Sequence, residues 1–128
     1  MPVMFQKFIS RDDLKKNPDI LYLFGDNNSR YGNGGQAKEM RGEPNAVGIR
    51  TKRDPAYNET SFFDDKDFDE VKMMLVEDFQ EPVAHLGRGG IVVIPSDGLG
   101  TGLAQLPTKA PMIYEEVVAW IDYLMDIK

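Results

Sequence analysis

The sequence predicts an α/β domain in which helices cover both faces of a sheet, and three observations carry that expectation. Ile20-Leu21-Tyr22-Leu23-Phe24 and Ile91-Val92-Val93-Ile94 are unbroken apolar runs, the pattern of strands buried on both faces. Each run leads into a glycine-rich loop. Between and after them lie stretches whose apolar residues recur at helical spacing, so strands alternate with helices, as in right-handed crossover units.

In chain order, Val3 to Phe8 alternates apolar and polar residues and predicts an edge strand. Ser10, with Asp12 and Asp13, supplies an N-cap and an acidic first turn for a brief helix ending near Asn17-Pro18. Ile20 to Phe24 is the central strand and stops at Gly25-Asp26-Asn27-Asn28. Tyr31 to Gly35 leads into Gln36-Ala37-Lys38-Glu39-Met40-Arg41, good helix formers ended by Gly42 and Pro44. Ala46 to Thr51 predicts a further strand, and Lys52 to Lys66 is irregular and longer than most connections in a compact domain. From Asp67, residues Phe68, Val71, Met74, Leu75 and Phe79 form a helical stripe that continues through Val83 and Leu86 to Gly87-Arg88-Gly89-Gly90, with Pro82 expected to kink or split it. Pro111 to Ile127 predicts a last amphipathic helix with Ile113, Val117, Trp120, Ile121 and Leu124 facing inward.

A chain of 128 residues has room for one core, hence a single domain over 1–128. Without cysteine there is no disulfide framework, thiolate nucleophile or thiolate metal site, and one histidine, His85, makes no histidine-rich centre. The acidic cluster Asp64, Asp65, Asp67, Asp69 and Glu70, around Lys66, lacks calcium-loop spacing and reads as a helix N-terminus favoured by the helix dipole. Neither metal nor cofactor is expected. With 21 acidic against 15 basic residues, the net charge of -6 argues against general nucleic-acid binding. No apolar run approaches the ~20 residues of a membrane span, and the first residues have no signal-like apolar core, so the expectation is a cytoplasmic protein with no membrane partner.

An anionic small ligand remains compatible with this charge, because backbone N–H groups hold phosphate without net positive charge. Ligands of α/β sheets bind outside the carboxyl ends of the strands, where both glycine loops fall. In Gly25 to Gly35 and in Gly98-Leu99-Gly100-Thr101-Gly102, backbone free of side chains lets N–H groups approach a phosphate, and the Thr101 hydroxyl adds a donor. Neither loop has Walker A or dinucleotide-fold spacing. For one loop alone, tight turns and caps are an equal account; two loops at corresponding strand ends favour a shared crevice. Valine at Gly34 or Gly100 is expected to abolish binding and leave the fold intact.

Leu23-Phe24-Gly25-Asp26-Asn27, Gly32-Asn33-Gly34-Gly35-Gln36-Ala37, Ile49-Arg50-Thr51-Lys52-Arg53 and Ile94-Pro95-Ser96-Asp97-Gly98-Leu99-Gly100-Thr101-Gly102-Leu103 together resemble the macrodomain superfamily, over Ile20 to Leu106. The resemblance is nearest to the terminal ADP-ribose glycohydrolases and to short macrodomain-like proteins of the kind bacteriophages encode. It implies a three-layer α/β/α sandwich with a mixed, mostly parallel sheet and a cleft for ADP-ribose or a related nucleotide. By the same resemblance, Asp26, beside Asn27, would accept the adenine amino group. Gly34 and Gly35 would lie along the distal ribose and diphosphate, and Gln36 and Ala37 would open the helix that faces the phosphates. Gly98, Leu99, Gly100, Thr101 and Gly102 would form the second diphosphate loop.

Lys52 matches the lysine that attacks the anomeric carbon of the distal ribose in the glycohydrolase branch. As an ordinary lysine, with a pKa of ~10.4, it would be a poor nucleophile at neutral pH. The branch continues its second loop Gly-Leu-Asp, whereas here Gly102-Leu103 is followed by Ala104, which leaves Asp97 or Asp26 as replacement acid. Loss of an acid/base group costs roughly 10²–10⁴-fold. Three readings follow: an ADP-ribose-binding module with weak ADP-ribosyl hydrolase activity, an active glycohydrolase acting on ADP-ribosylated protein or nucleic acid, and an interaction domain without a ligand.

Overall fold

The two unbroken apolar runs lie side by side at the centre of a four-stranded sheet in the structure, a computed structural model describing residues 2–127. They belong to β2 (Ile20–Asn27) and β4 (Ile91–Pro95), with β1 (Val3–Gln6) outside β4 and β3 (Ala46–Lys52) outside β2. Every pairing is parallel, from Val3 opposite Val92, through Ile20 opposite Ile91, to Leu23 opposite Val47. This corrects the mixed sheet implied by the resemblance: among the described residues no strand runs antiparallel. Each strand is followed by a connection that contains a helix, so no hairpin reverses the chain.

Alternate side chains of the central strands enter two separate cores. Tyr22, Phe24 and Val93 pack with Leu14 of α1 (Arg11–Lys16) and with Ala37 and Met40 of α2 (Ala37–Met40). Leu21, Leu23, Val92 and Ile94 pack on the other face with α3 (Phe68–Gly87), α4 (Leu106–Lys109) and α5 (Pro111–Asp126). Both faces are apolar environments, which is why neither run alternates with polar residues.

The local signals act as the chemistry directs. The Ser10 Oγ accepts from the Asp13 N–H at 3.2 Å, and the Asp13 carboxylate accepts from the Ser10 N–H at 2.9 Å, a capping box that starts α1. α3 runs unbroken through Pro82, contrary to the expected kink or split. Buried Met74, Leu75 and Phe79 before the proline, and Leu86 after it, hold both halves on the sheet and outweigh the lost hydrogen bond. The irregular segment contains short 3-10 turns at Glu59–Ser61 and Asp65–Asp67. Its acidic residues cap helices: Asp65 Oδ1 accepts from the Met112 N–H at 3.0 Å, in the first turn of α5. Trp120 of α5 is only half-buried and stacks on Phe79 with ring centroids 5.0 Å apart. Among the described residues, no helix is long and apolar enough to cross a membrane, and no cluster of His, Asp or Glu could hold a metal ion.

The topology places a crevice between the two central strands. β2 leads into α2 on one face of the sheet, whereas its neighbour β4 leads into α4 and α5 on the other. Loops that leave adjacent parallel strands toward opposite faces separate and open a gap at the carboxyl ends.

Candidate functional site

That gap is a cleft of about 440 Å³. Its walls are the carboxyl end of β2 with the loop after it, between Gly25 and Ala37, and the last residue of β4 with the loop after it, between Pro95 and Ala104, joined by Thr51 and Lys52 at the end of β3. The two glycine loops therefore do share one crevice. Bare backbone forms its floor, since a Cβ on Gly25 would lie 3.4 Å from Thr51 Oγ1 and 3.6 Å from the Gly100 nitrogen. Near the mouth the loops touch, because a Cβ on Gly34 would come within 2.5 Å of a Leu103 methyl. Among the described residues, the backbone N–H groups of Gly34, Gly35 and Gln36, and of Gly100, Thr101, Gly102 and Leu103, donate to no protein acceptor. Such N–H groups make an anion-binding concavity.

Of the residues singled out from the sequence, Asp26, Asn27, Gly34, Gly35, Gln36, Lys52, Asp97, Gly98, Gly100, Thr101 and Gly102 line the cleft. Leu99 does not, which corrects its place in the ligand set: its side chain is 1% exposed within the core on the α3 face and anchors the loop from below. Several of the polar side chains are engaged with the protein itself. Asp26 Oδ1 accepts from the Asn27 N–H at 2.8 Å and from Arg41 at 2.6 Å, and Oδ2 accepts from Arg30 at 3.0 Å. Asn27 folds the first loop, accepting from the Ser29 N–H at 2.9 Å and donating to the Tyr31 carbonyl at 2.8 Å. Gln36 is clamped to both backbone groups of Ile9. The Thr101 hydroxyl donates to the Asp97 carbonyl at 2.7 Å, so its proton is used within the loop and the hydroxyl is left as an acceptor, not as the donor expected. α2 is a single turn whose Lys38, Glu39 and Met40 N–H groups are already bonded, so its dipole adds little to the adjacent loop.

Lys52 is buried at the cleft wall. Its Nζ donates to the Ala56 carbonyl and lies 4.6 Å from the ring centroids of both Tyr57 and Phe62. Burial pushes its pKa below the ordinary lysine value, against a smaller opposing pull from Asp54. Asp97 is exposed, and its carboxylate accepts no protein hydrogen bond among the described residues. Ala104, 7% exposed, sits in the wall with its methyl packed into the core.

Lys7, Arg41, Thr51, Pro55, Tyr57 and Pro95 also reach the cleft, where sequence reasoning did not place them, and Tyr31, expected there only as part of the first loop, brings its ring. Tyr31 and Tyr57 are 64% and 66% exposed, and solvent-facing aromatic residues in a glycine loop and a long irregular segment were the available signal. Nothing local marks Arg41, which reads as an ordinary helix residue until the fold turns it back onto Gly32 and Asp26.

Compared with curated proteins and with solved structures, the chain has no significant match. A family profile matches residues 4–120, a span that includes β2, β3, β4, all of β1 but Val3, both glycine loops and the whole cleft. The chain belongs to that family, described as "Family of unknown function (DUF7831)".

Proposed function

We propose that the cleft binds ADP-ribose or a related NAD-derived nucleotide, with the diphosphate between the two glycine loops. The observation that carries this reading is the double set of unpaired backbone N–H groups at one topological switch point. Lys7, Arg41 and Lys52 line the same cleft in a chain of net charge -6, which localises attraction for an anion. Tyr31 and Tyr57 offer ring faces to a base. The macrodomain-like assignment belongs to this proposal and rests on the order and placement of the motifs around the cleft.

Chemistry at Lys52 is the subordinate part. The neutral amine would form a C–N bond to the anomeric carbon as the bond to a carboxylate leaving group breaks. The amine would then give its proton to water, and water would release ADP-ribose and restore the lysine. The carboxylate departs without protonation, but at position 104 no carboxylate stands ready as the base that activates the water, so the step is slow. Fast glycohydrolase activity is the weaker reading for that reason.

Thermal unfolding over ADP-ribose, NAD, cyclic ADP-ribose isomers, AMP and inorganic phosphate tests the binding, since a ligand selective for the folded state raises the Tm. ADP-ribose is expected to stabilise most, and no shift with any nucleotide at millimolar concentration overturns the proposal. For the chemistry, Ala104→Asp should raise hydrolysis of an ADP-ribosylated carboxylate and Lys52→Ala should remove the gain. Undiminished turnover by Lys52→Ala would move the acid/base work to Asp97.

A further inference from the structure

A chain of alternating charges runs from α3 to the cleft. Arg50 Nε donates to Asp78 at 3.0 Å, Arg30 Nη2 to Asp78 at 2.7 Å, Arg30 Nη1 to Asp26 at 3.0 Å, and Arg41 Nη2 to Asp26 at 2.6 Å. Both buried carboxylates are 2% exposed, and with Glu77 beside Arg50 the three guanidinium groups meet three carboxylates.

The two ends of this chain differ. Arg50 meets a further carboxylate, Glu77, at 3.2 Å, whereas Arg41 meets none beyond Asp26. Arg41 Nε donates to the Gly32 carbonyl at 3.0 Å, one Nη2 donor goes to Asp26, and its remaining donors find no protein acceptor among the described residues. The guanidinium lies 5.5 Å from the centroid of the Phe24 ring, which covers one face, and its side chain is 21% exposed at the cleft wall. The unused donors at the Arg41 end of the network therefore stand in the cleft.

The fold accommodates the chain at some cost. Arg30 adopts a left-handed backbone, φ 60°, to reach both carboxylates. Gly48 is the residue that leaves them room, since a Cβ there would lie 2.4 Å from Asp26 Oδ2 and 2.9 Å from Arg30 Nη1.

We infer that Arg41 binds a phosphoryl group of the cleft's ligand, with Asp26 as the residue that positions its guanidinium rather than as a contact to the base. The inference rests on the nucleotide reading above and adds the side chain that recognises the ligand's charge. A planar guanidinium held from one side presents paired donors that match two phosphoryl oxygens.

The experiment follows the Arg41 Nε–H resonance of the unmodified protein, assigned through the backbone, during separate titrations with inorganic pyrophosphate, ADP-ribose and adenosine. Calorimetry with ADP-ribose on Arg41→Lys, Arg41→Gln and Arg88→Gln accompanies it; Arg88 precedes the amino end of β4, at the opposite end of the sheet from the cleft. Pyrophosphate and ADP-ribose should shift the resonance and adenosine should not. Arg41→Gln should weaken ADP-ribose binding by about tenfold or more, with Arg41→Lys intermediate and Arg88→Gln unchanged. The inference is overturned if the Gly34 and Gly102 amides respond while Arg41 does not, if adenosine shifts Arg41 equally, or if folded Arg41→Gln binds as tightly as the parent. Should Arg41→Gln fail to fold, the resonance of the unmodified protein decides. If no cleft resonance responds to any probe, the nucleotide reading itself falls, and this inference with it.

Discussion

Lys52 and Lys16 show how surroundings separate two identical side chains. Burial depresses the pKa of Lys52, whereas Asp12, 2.8 Å from the Lys16 ammonium, raises that of Lys16. Trace acylation across pH, read by peptide mass spectrometry, should therefore give a lower reactivity midpoint for Lys52 than for Lys16. A midpoint equal to or above that of Lys16 would remove the case for a nucleophile. The linkage has a definite sign. The folded pKa lies below the unfolded one, so the unfolded chain binds more protons between the two values. Stability should rise with pH through that window, and the cost of burying the ammonium is fully present below the folded pKa. The position of Lys52 at a strand's carboxyl end was legible in the sequence, although it closes β3 where the expected strand stopped at Thr51. Its enclosure by Tyr57 and Phe62 was not, because those rings come from a segment without periodicity.

Gly34 and Gly100 look interchangeable in the sequence, but the elements around them differ. Gly100 has φ +82°, and a Cβ there would lie 2.4 Å from a Leu106 methyl and 3.2 Å from the Thr51 Cβ, so α4 and β3 both close on it. Gly34 lies outside the left-handed region, and its Cβ would meet only the Leu103 methyl at 2.5 Å, on a side chain 44% exposed and able to swing away. Contrary to the expectation from sequence, only one of the two valine substitutions isolates binding. Gly34→Val should lose ADP-ribose affinity with the unfolding midpoint nearly unchanged, and Gly100→Val should destabilise the fold by about 1–3 kcal/mol or more in urea unfolding. Equal stability of the two variants would show that α4 does not pack against the second loop as described. Elements whose burial is continuous, β2 and β4, or recurs at helical spacing, α3 and α5, were legible. The short α2, expected over Gln36 to Arg41, was legible too, but the unbroken course of α3 past Pro82 was not, because packing on the sheet decides it.

For the molecule as a whole, Asp78 links α3 to β3 and to the first loop, since it accepts from the Arg50 N–H at 2.8 Å and from both the Arg50 and Arg30 side chains. Asp78→Ala would leave Arg30 with Asp26 and Arg50 with Glu77 but no carboxylate joining the two, and should cost about 2–3 kcal/mol in urea unfolding. A loss below about 1 kcal/mol would mean that the charge chain does not hold these elements together. One signal could have found Asp78: it is an acid inside the apolar stripe of α3, between Leu75 and Phe79. The amino-acid sequence by itself determined the alternation of strands and helices, the two central strands and the presence of a glycine loop after each, because continuous burial and helical spacing are written in local patterns. The tertiary structure alone decided the strand order, the all-parallel pairing, the engagement of Asp26 by two arginines and the arrival of Arg41 in the cleft. Those features depend on contacts between residues far apart in the chain, such as Arg30 with Asp78, and no local periodicity encodes which distant charge a buried carboxylate will meet.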